Sequence, residues 1–257
     1  MLARTLKDKL ADGQQVLGLT VGIECWPGCL EDIAASGYDF IWLDCEHSAL
    51  TLPQVQALCH EARILNLPAI LRPEAALFHL IVRYLDLGPS GILLPYVERM
   101  EQIEILEQAT YLPPRGKRSP GGPCMAWLNV PNRQSIDEYE RDCFRMIQVE
   151  SIAGIEILPE LLTADCLDAV MLGPNDLTVS LGCAFQRDEP IVVEAIEKVL
   201  GICSEHGMPC GMVCNSLQEA RFWSDRGFRF MICGDIVRVA TGSFKALHDS
   251  VRKFDRT

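Results

Sequence analysis

Short apolar runs alternate with longer amphipathic segments along the chain. The apolar runs are rich in Val, Ile, Leu and Phe and show little polar alternation. Such runs are typical of strands that are buried on both faces of a parallel sheet. We predict strands at Val16–Glu24, Asp39–His47, Pro68–Glu74, Gly91–Val97, Phe144–Ser151, Leu167–Pro174, Pro209–Cys214 and Phe228–Asp235.

The amphipathic segments between these runs predict helices, because their apolar residues recur at helical spacing on one face. The predicted helices are Leu52–Asn66, Ala76–Leu87, Met100–Tyr111, Glu189–His206, Leu217–Arg226 and Ile236–Phe254. Strands that alternate with helices eight times predict a single (β/α)8 barrel over residues 1–257. The rival fold is a doubly wound open sheet, and it is disfavoured because no GxGxxG or P-loop motif follows the first strand.

Leu112–Ile136 is the one long stretch without a regular pattern, and it is rich in Pro and Gly. A loop of this length in a compact domain is usually functional. We expect it to be either a lid or a subunit contact.

The composition and net charge of the chain limit the kinds of molecule that we expect it to bind. The formal net charge of −12 repels nucleic acid and anionic lipid, so we expect neither a nucleic acid nor a membrane as partner. The first residues lack the apolar core of a secretory signal, and no apolar run reaches the length of a membrane span. We therefore expect a cytoplasmic protein whose twelve cysteines are reduced and act as small apolar residues.

Reactive side chains of barrel enzymes collect at the carboxyl ends of the strands. Five predicted strands end in polar residues: Asp44-Cys45-Glu46-His47, Arg72-Pro73-Glu74, Gln148-Val149-Glu150, Gly173-Pro174-Asn175-Asp176 and Gly234-Asp235. We expect these side chains to converge at one mouth of the barrel.

Glu150 and Asp176 are candidate metal ligands, because they follow neighbouring strands. Oxygen ligands without His or Cys favour Mg²⁺ or Mn²⁺, with Co²⁺ as a further option. The alternative is that both acids simply occupy helix N-termini, where acids are common. The residues alone leave the two interpretations open.

His47 is a candidate general base that needs an orienting partner, for which Asp86 is the candidate. Arg72 follows a buried strand and is a candidate for binding a carbonyl oxygen and a developing enolate. The alternatives are a structural role for His47 and an ion pair of Arg72 with Glu46 or Glu74. No lysine ends a predicted strand, which disfavours a Schiff-base mechanism.

The chain resembles the HpcH/HpaI aldolase family over nearly its whole length. The resemblance rests on GYDFIWLDCEHSALTLPQV (Gly37–Val55), LPAILRP (Leu67–Pro73), LDLGPSGILLPYV (Leu85–Val97), YLPPRGKR (Tyr111–Arg118), MIQVES (Met146–Ser151), LGPNDLTVSLG (Leu172–Gly182) and the Gly234-Asp235 ending. The order and spacing of these segments are specific together, although each alone is not.

The resemblance implies a barrel of the phosphoenolpyruvate/pyruvate type, assembled as a homo-oligomer, commonly a hexamer (a trimer of dimers), in which the last helix is swapped between subunits. It implies a class II aldolase, in which a divalent metal chelates the pyruvate moiety. A 4-hydroxy-2-oxo acid (a 2-keto-3-deoxy sugar acid or a 4-hydroxy-2-oxo-diacid) is then cleaved reversibly to pyruvate and an aldehyde through the enolate of pyruvate.

By the same resemblance, the functional residues fall into five groups. The implied metal ligands are Glu150 and Asp176, the implied acid–base residue is His47 with Asp86 as its partner, and Arg72 binds the pyruvate carbonyl oxygen. Gly173, Pro174 and Asn175 bind the pyruvate carboxylate, and Asp44 and Gln148 lie around the metal. The segment after Arg118 departs from the family, so the identity of the aldehyde is not implied.

Three alternative functions remain open: a lyase acting on citryl- or malyl-CoA, a decarboxylase that uses the same enolate, and a barrel that binds a 2-oxo acid without turnover. A CoA lyase needs room and basic residues for CoA, and this chain is short and acidic. The base, the carboxylates and the arginine together argue against a silent binding role.

Overall fold

The fold is a closed barrel of eight parallel strands, in which each strand pairs with the next and the last pairs with the first. The structure is a computed structural model that describes residues 2–26, 28–121 and 133–253. The strands are β1 (Val16–Val21), β2 (Phe40–Asp44), β3 (Ala69–Arg72), β4 (Gly91–Leu94), β5 (Phe144–Val149), β6 (Ala169–Leu172), β7 (Cys210–Cys214) and β8 (Phe230–Asp235).

Helices connect the strands and surround the barrel. They are α1 (Leu2–Ala11), α2 (Cys29–Ala35), α3 (Leu52–Ile64), α4 (Phe78–Leu85), α5 (Met100–Thr110), α6 (Arg133–Asp142), α7 (Ile152–Leu161), α8 (Pro174–Ser180), α9 (Pro190–Glu205), α10 (Leu217–Arg226) and α11 (Ile236–Arg252). No helix in the described ranges is long and apolar enough to cross a bilayer.

The strands bury both faces because alternate residues serve two separate apolar clusters. Along β2, Phe40 and Trp42 point into the barrel, whereas Ile41 and Leu43 pack against the outer helices. The ring of Phe230 fills the interior beside Phe40, with ring centroids 4.4 Å apart. A packed interior means that the polar residues at the strand ends can only face the mouth of the barrel.

Helix α1 covers the amino-terminal end of the barrel. Its apolar residues Ala3, Leu6 and Leu10 are buried and belong to the interior cluster. Because that end is covered, a ligand can reach the strand ends only at the opposite, carboxyl-terminal mouth.

The predicted barrel is confirmed, and each predicted strand is present with trimmed ends. The predicted run Val16–Glu24, for example, is strand only from Val16 to Val21. Helices α1, α2, α6, α7 and α8 are not among the predicted helices. The prediction of an irregular stretch at Leu112–Ile136 was wrong at its carboxyl-terminal end, because residues 133–136 belong to helix α6. Residues 122–132 of that stretch lie outside the described residues.

The described cysteines are free thiols, and most of them are buried among apolar side chains. Cys124 lies outside the described residues. The buried thiols fit the predicted role as small apolar residues.

Candidate active site at the barrel mouth

A cavity of about 320 Å³ opens at the carboxyl ends of the strands. Eight of the ten site residues predicted from the sequence line it: Asp44, His47, Arg72, Gln148, Gly173, Pro174, Asn175 and Asp176. Glu150 lies next to this lining, in contact with Gln148. The predicted convergence at one mouth is therefore present, and only Asp86 lies elsewhere.

Arg72 is a buried cation whose guanidinium is fixed from several sides. Its Nε and Nη2 donate to the two carboxylate oxygens of Asp44 at 3.0 and 2.7 Å. Its Nη1 lies 3.0 Å from Glu46 Oε2 and donates to Gln148 Oε1 at 3.2 Å. The indole ring of Trp42 lies 4.4 Å below the guanidinium carbon. A guanidinium held this way offers its remaining face to the cavity at a defined position.

Of the two ion pairs considered for Arg72, the one with Glu46 is present. The one with Glu74 is wrong, because both carboxylate oxygens of Glu74 accept instead from the Tyr84 hydroxyl at 2.9 Å.

Glu150 is almost completely buried, with 4% of its surface exposed. Its Oε2 accepts from Gln148 Nε2 at 2.7 Å, and its Oε1 accepts from the backbone N–H of Tyr96 at 3.0 Å. Gly173 closes this arrangement. A Cβ built there would lie 2.3 Å from Glu150 Oε2 and 2.7 Å from Gln148 Nε2. Only glycine fits beside the carboxylate.

Burial raises the pKa of Glu150 to about 7, and the negative charge of Asp176 adds to the effect. Asp176 lies in the first turn of α8 and is exposed. Neither acid caps a helix through its side chain: Ser151 caps α7, and α8 has no side-chain cap. Helix capping therefore does not explain Glu150, whereas Asp176 does occupy the first turn of α8, as that alternative states.

The donor set fits a hard divalent cation. Two carboxylates lie close enough to raise the pKa of one of them, and their mutual repulsion would be relieved by a cation between them. Within the described ranges, no group of three or more His, Cys, Asp and Glu side chains could hold a metal. Glu150 and Asp176 could thus supply two ligands and leave the other positions to substrate and water.

His47 lies at the rim of the cavity with 65% of its side chain exposed. Its Nε2 lies 3.7 Å from Glu46 Oε2. Burial raises the pKa of Glu46, and the nearby charge of Arg72 opposes that rise. The position of His47 allows it to reach a group of a bound molecule at the cavity entrance.

Within one chain the structure does not bring Asp86 to His47, so the partnership of these two residues stays a prediction. Asp86 ends α4, four residues before Ser90, whose N–H bonds to the first residue of β3. It therefore lies at the amino-terminal end of the strands, and His47 lies at the carboxyl-terminal end. The carboxylate of Asp86 instead accepts from Arg118 Nη2 at 3.0 Å. Helix α4 lies between β3 and Asp86 and runs back toward the amino-terminal end of the barrel. The order of residues in the sequence does not show this reversal.

Several residues were not found from the sequence: Tyr96, which supports Glu150 beside the cavity, and three residues of the cavity lining. Tyr96 holds a positive φ of 50°, a strained conformation for a residue other than glycine, and this turns its N–H toward Glu150. Inspection of the end of the fourth strand would have drawn attention to it. Arg187, Asn215 and Arg238 line the cavity. They lie in a loop and at helix starts, where no pattern marks them.

Comparison with known proteins gives one consistent result. The profile of the HpcH/HpaI aldolase/citrate lyase family matches residues 26–239. A hydroxypyruvate/pyruvate aldolase of Deinococcus radiodurans is 34% identical over 240 residues, which are 91% of this chain and 84% of that protein. A 5-keto-4-deoxy-D-glucarate aldolase of Escherichia coli is 27% identical over 91% of this chain and 93% of that protein. The crystal structure of an HpcH/HpaI aldolase from Desulfitobacterium hafniense is similar with a TM-score of 0.88 at 27% identity, and covers 95% of each chain.

Proposed function

The chain belongs to the HpcH/HpaI aldolase/citrate lyase family, and we propose that it performs the aldolase reaction with a divalent metal held by Glu150 and Asp176. The reaction is the reversible cleavage of a 4-hydroxy-2-oxo acid to pyruvate and an aldehyde, so the protein is a carbon–carbon lyase. Mg²⁺ or Mn²⁺ is the expected metal, with Co²⁺ as a substitute, because the ligands are carboxylate oxygens.

The proposed metal site is supported by the paired carboxylates and by their surroundings. Gln148 and the N–H of Tyr96 hold one carboxylate in place, and Gly173 leaves room for it. A divalent cation bound there would act as a Lewis acid that stabilises the negative charge of an enolate.

Arg72 has the proposed role of binding the 2-oxo group. It is a permanent cation, and Asp44 fixes its guanidinium through two hydrogen bonds. Negative charge develops on the 2-oxo oxygen when the carbon–carbon bond breaks, and a preoriented donor stabilises that charge. The backbone of Gly173, Pro174 and Asn175, where α8 begins, is the proposed binding site for the pyruvate carboxylate.

His47 is the proposed base in the cleavage direction. It removes the proton of the 4-hydroxyl group, directly or through a water molecule. The bond between C3 and C4 then breaks and the aldehyde leaves. The two electrons of the broken bond remain with C3 and form the enolate of pyruvate. Protonation at C3 gives pyruvate. The exposure of His47 at the rim suits this role, because the 4-hydroxyl lies two carbons from the 2-oxo group.

One observation carries the proposal: a fixed, buried arginine and the carboxylate of Asp176 line one cavity at the carboxyl ends of the strands, and the buried carboxylate of Glu150 lies beside that lining, close enough to Asp176 for its pKa to be raised. The test is the exchange of the C3 protons of pyruvate in D₂O, followed by NMR with Mg²⁺ and again with EDTA. We expect exchange that depends on the metal, because enolate formation does not require the aldehyde.

Two variants refine the test. Glu150→Gln should lose the exchange, whereas Glu156→Gln, an exposed residue of α7, should retain it. A second measurement is needed because proton transfer can require a bound aldehyde. It follows the formation of aldol products from pyruvate and a panel of aldehydes by mass spectrometry. The proposal fails if the folded protein gives neither exchange nor product with any of the three metals.

We further propose that a second copy of the chain covers helix α11 and that the assembly is a hexamer built from dimers. The exposed residues of α11 include the apolar side chains Val237, Phe244, Leu247 and Val251. A row of this kind on a long helix is typical of a subunit contact. Light scattering coupled to size-exclusion chromatography tests the proposal, and a monomer at micromolar concentration would refute it.

A further inference from the structure

The cavity extends beyond the residues assigned to pyruvate. Those residues follow β2, β3, β5 and β6, and the opposite half of the lining comes from β7, β8 and the loop after α8. Because pyruvate is a three-carbon acid bound on the first side, the second half is where the aldehyde must lie. The polar groups of this half therefore determine which aldehydes fit.

Arg187 is the first of two arginines in this half, and its donors are already used. Its Nε and Nη2 donate to Asn175 Oδ1 at 3.1 and 2.8 Å. Its Nη1 donates to the carbonyl of Val213 at 3.0 Å and to Glu219 Oε1 at 2.9 Å. The charge of Arg187 is thus compensated by Glu219 within the protein.

Arg238 is the second arginine, and most of its donors are free. Its Nη1 donates to Asn215 Oδ1 at 2.7 Å. Its Nε forms an ion pair with Asp235 Oδ2 at 3.7 Å, a distance too long for a hydrogen bond. The side chain is 57% exposed and lines the cavity. Among the described residues, Nη2 of Arg238 has no hydrogen-bond partner.

The two arginines also fix two asparagine side chains. Guanidinium groups only donate, so the amide atom that faces each of them must be the oxygen. The oxygen of Asn175 is taken by Arg187, and the oxygen of Asn215 is taken by Arg238. Neither Nδ2 group donates to a residue within the described ranges. Each asparagine therefore has only N–H donors left to offer.

This half of the cavity consequently presents an excess of donors. The carboxylate among its side chains is Asp235, whose Oδ1 accepts from the backbone N–H of Arg238 and whose Oδ2 forms an ion pair with Arg238 Nε, so the Nη2 group of Arg238 and the two asparagine Nδ2 groups remain as donors. A neutral hydroxylated aldehyde needs acceptors as well as donors. A carboxylate only accepts and is negatively charged, so it matches an arginine beside amide N–H groups.

We propose that Arg238, assisted by Asn215, binds a carboxylate on the aldehyde substrate, so that the enzyme selects acid semialdehydes over neutral aldehydes. The proposal rests on the proposed aldolase function and assigns the residue that determines specificity. It also implies that the cleaved substrate is a 4-hydroxy-2-oxo-diacid.

The test compares 4-oxobutanoate with its methyl ester, which lacks the negative charge at the far end and carries one additional methyl group, with pyruvate and Mg²⁺. In the wild-type enzyme we expect kcat/KM to be at least about tenfold higher for the acid, because charge-assisted hydrogen bonds distinguish the two. Arg238→Met should lower kcat/KM for the acid about 10- to 100-fold and change that for the ester less than threefold. Arg226→Met, an arginine outside the cavity, should leave the rate of pyruvate C3 exchange and both values of kcat/KM unchanged.

Three further variants make the result specific. Asn215→Ala should give a smaller loss for the same substrate, and it also serves if Arg238→Met does not fold. Arg238→Lys should recover part of the preference. Arg226→Met is the control, since this arginine of α10 pairs with Glu197 and does not line the cavity.

The proposal is overturned if the wild-type enzyme shows no preference for the acid, or if Arg238→Met lowers kcat/KM equally for the acid and for the ester. Absence of C3 exchange and of product with both aldehydes is a different result. It would overturn the proposed function itself, and the inference with it.

Discussion

The buried carboxylate of Glu150 should destabilise the protein when no metal is bound, and Glu150→Gln should remove that penalty. Burial and the charge of Asp176 raise the pKa of Glu150 from 4.5 to about 7. In the unfolded chain the group titrates near its ordinary value. The folded protein therefore binds a proton more tightly than the unfolded chain between these two pH values.

The sign of the effect follows from this difference. The favourable contribution of the protonated group is complete below about pH 4.5 and is lost as the pH rises through about 7. The rise in pKa corresponds to about 3 kcal/mol of stability lost at high pH. Glutamine is neutral at every pH, but it has one acceptor for two donors, Gln148 Nε2 and the Tyr96 N–H, and the lost hydrogen bond costs about 1 kcal/mol. The variant should thus be about 2 kcal/mol more stable than wild type at pH 8.

The assay is urea denaturation in EDTA at pH 5, 6.5 and 8, and it measures the free energy of unfolding of both proteins. Other acids titrate in both proteins, so the difference between them isolates Glu150. Glu156→Gln on the surface of α7 is the control and should track wild type at each pH. A second series with excess Mg²⁺ should stabilise wild type by mass action and leave Glu150→Gln unchanged.

A difference between wild type and Glu150→Gln that is the same at pH 5 and pH 8 would refute the reasoning. It would mean that the carboxylate keeps its ordinary pKa in the folded protein. The two acids would then not be an uncompensated pair, and the case for a cation between them would be lost.

Three shorter predictions concern the chemistry. His47→Ala should lower kcat for cleavage by about 10²- to 10⁴-fold, measured by pyruvate release, with Mn²⁺ affinity unchanged by calorimetry. Arg72→Lys should lower kcat/KM by about 100-fold, because lysine cannot make the two-pronged contact with Asp44, and circular dichroism should show the fold intact. Gly173→Ala should weaken Mn²⁺ binding at least tenfold in calorimetry, since its Cβ would lie 2.3 Å from a carboxylate oxygen of the site; Gly201→Ala, with nothing within 4 Å, should bind normally.

The barrel and the location of its site were predictable because they depend on the spacing of apolar residues and on the order of strands and helices along the chain. Strands buried on both faces are continuous apolar runs, and the polar residues that end them must lie at one mouth. Asp44, Arg72 and Gln148 were identified in this way before any contact was known. The contact of Asp44 with Arg72 then follows from the pairing of β2 with β3, where the two residues are directly opposite each other.

Contacts that depend on helix direction or on loops were not predictable. Asp86 is close to the predicted site in sequence order, but α4 carries it to the far end of the barrel. Arg187 reaches the cavity from a loop, and its partners on β7 and α10 are 26 and 32 residues away in sequence. Local pattern contains no information on such distances, so these residues emerge only from the three-dimensional arrangement.

The charges at the mouth are the physical reason for the cation that we propose at Glu150 and Asp176. Arg72 compensates part of the charge of Asp44 and Glu46, and in the described part of the chain neither Glu150 nor Asp176 forms an ion pair. An uncompensated buried carboxylate lowers stability, and a glutamine of the same shape would avoid most of that cost. A residue that served only packing would gain nothing from the charge. The charge is useful when a divalent cation is bound, since the same repulsion that raises the pKa of Glu150 becomes attraction for the metal.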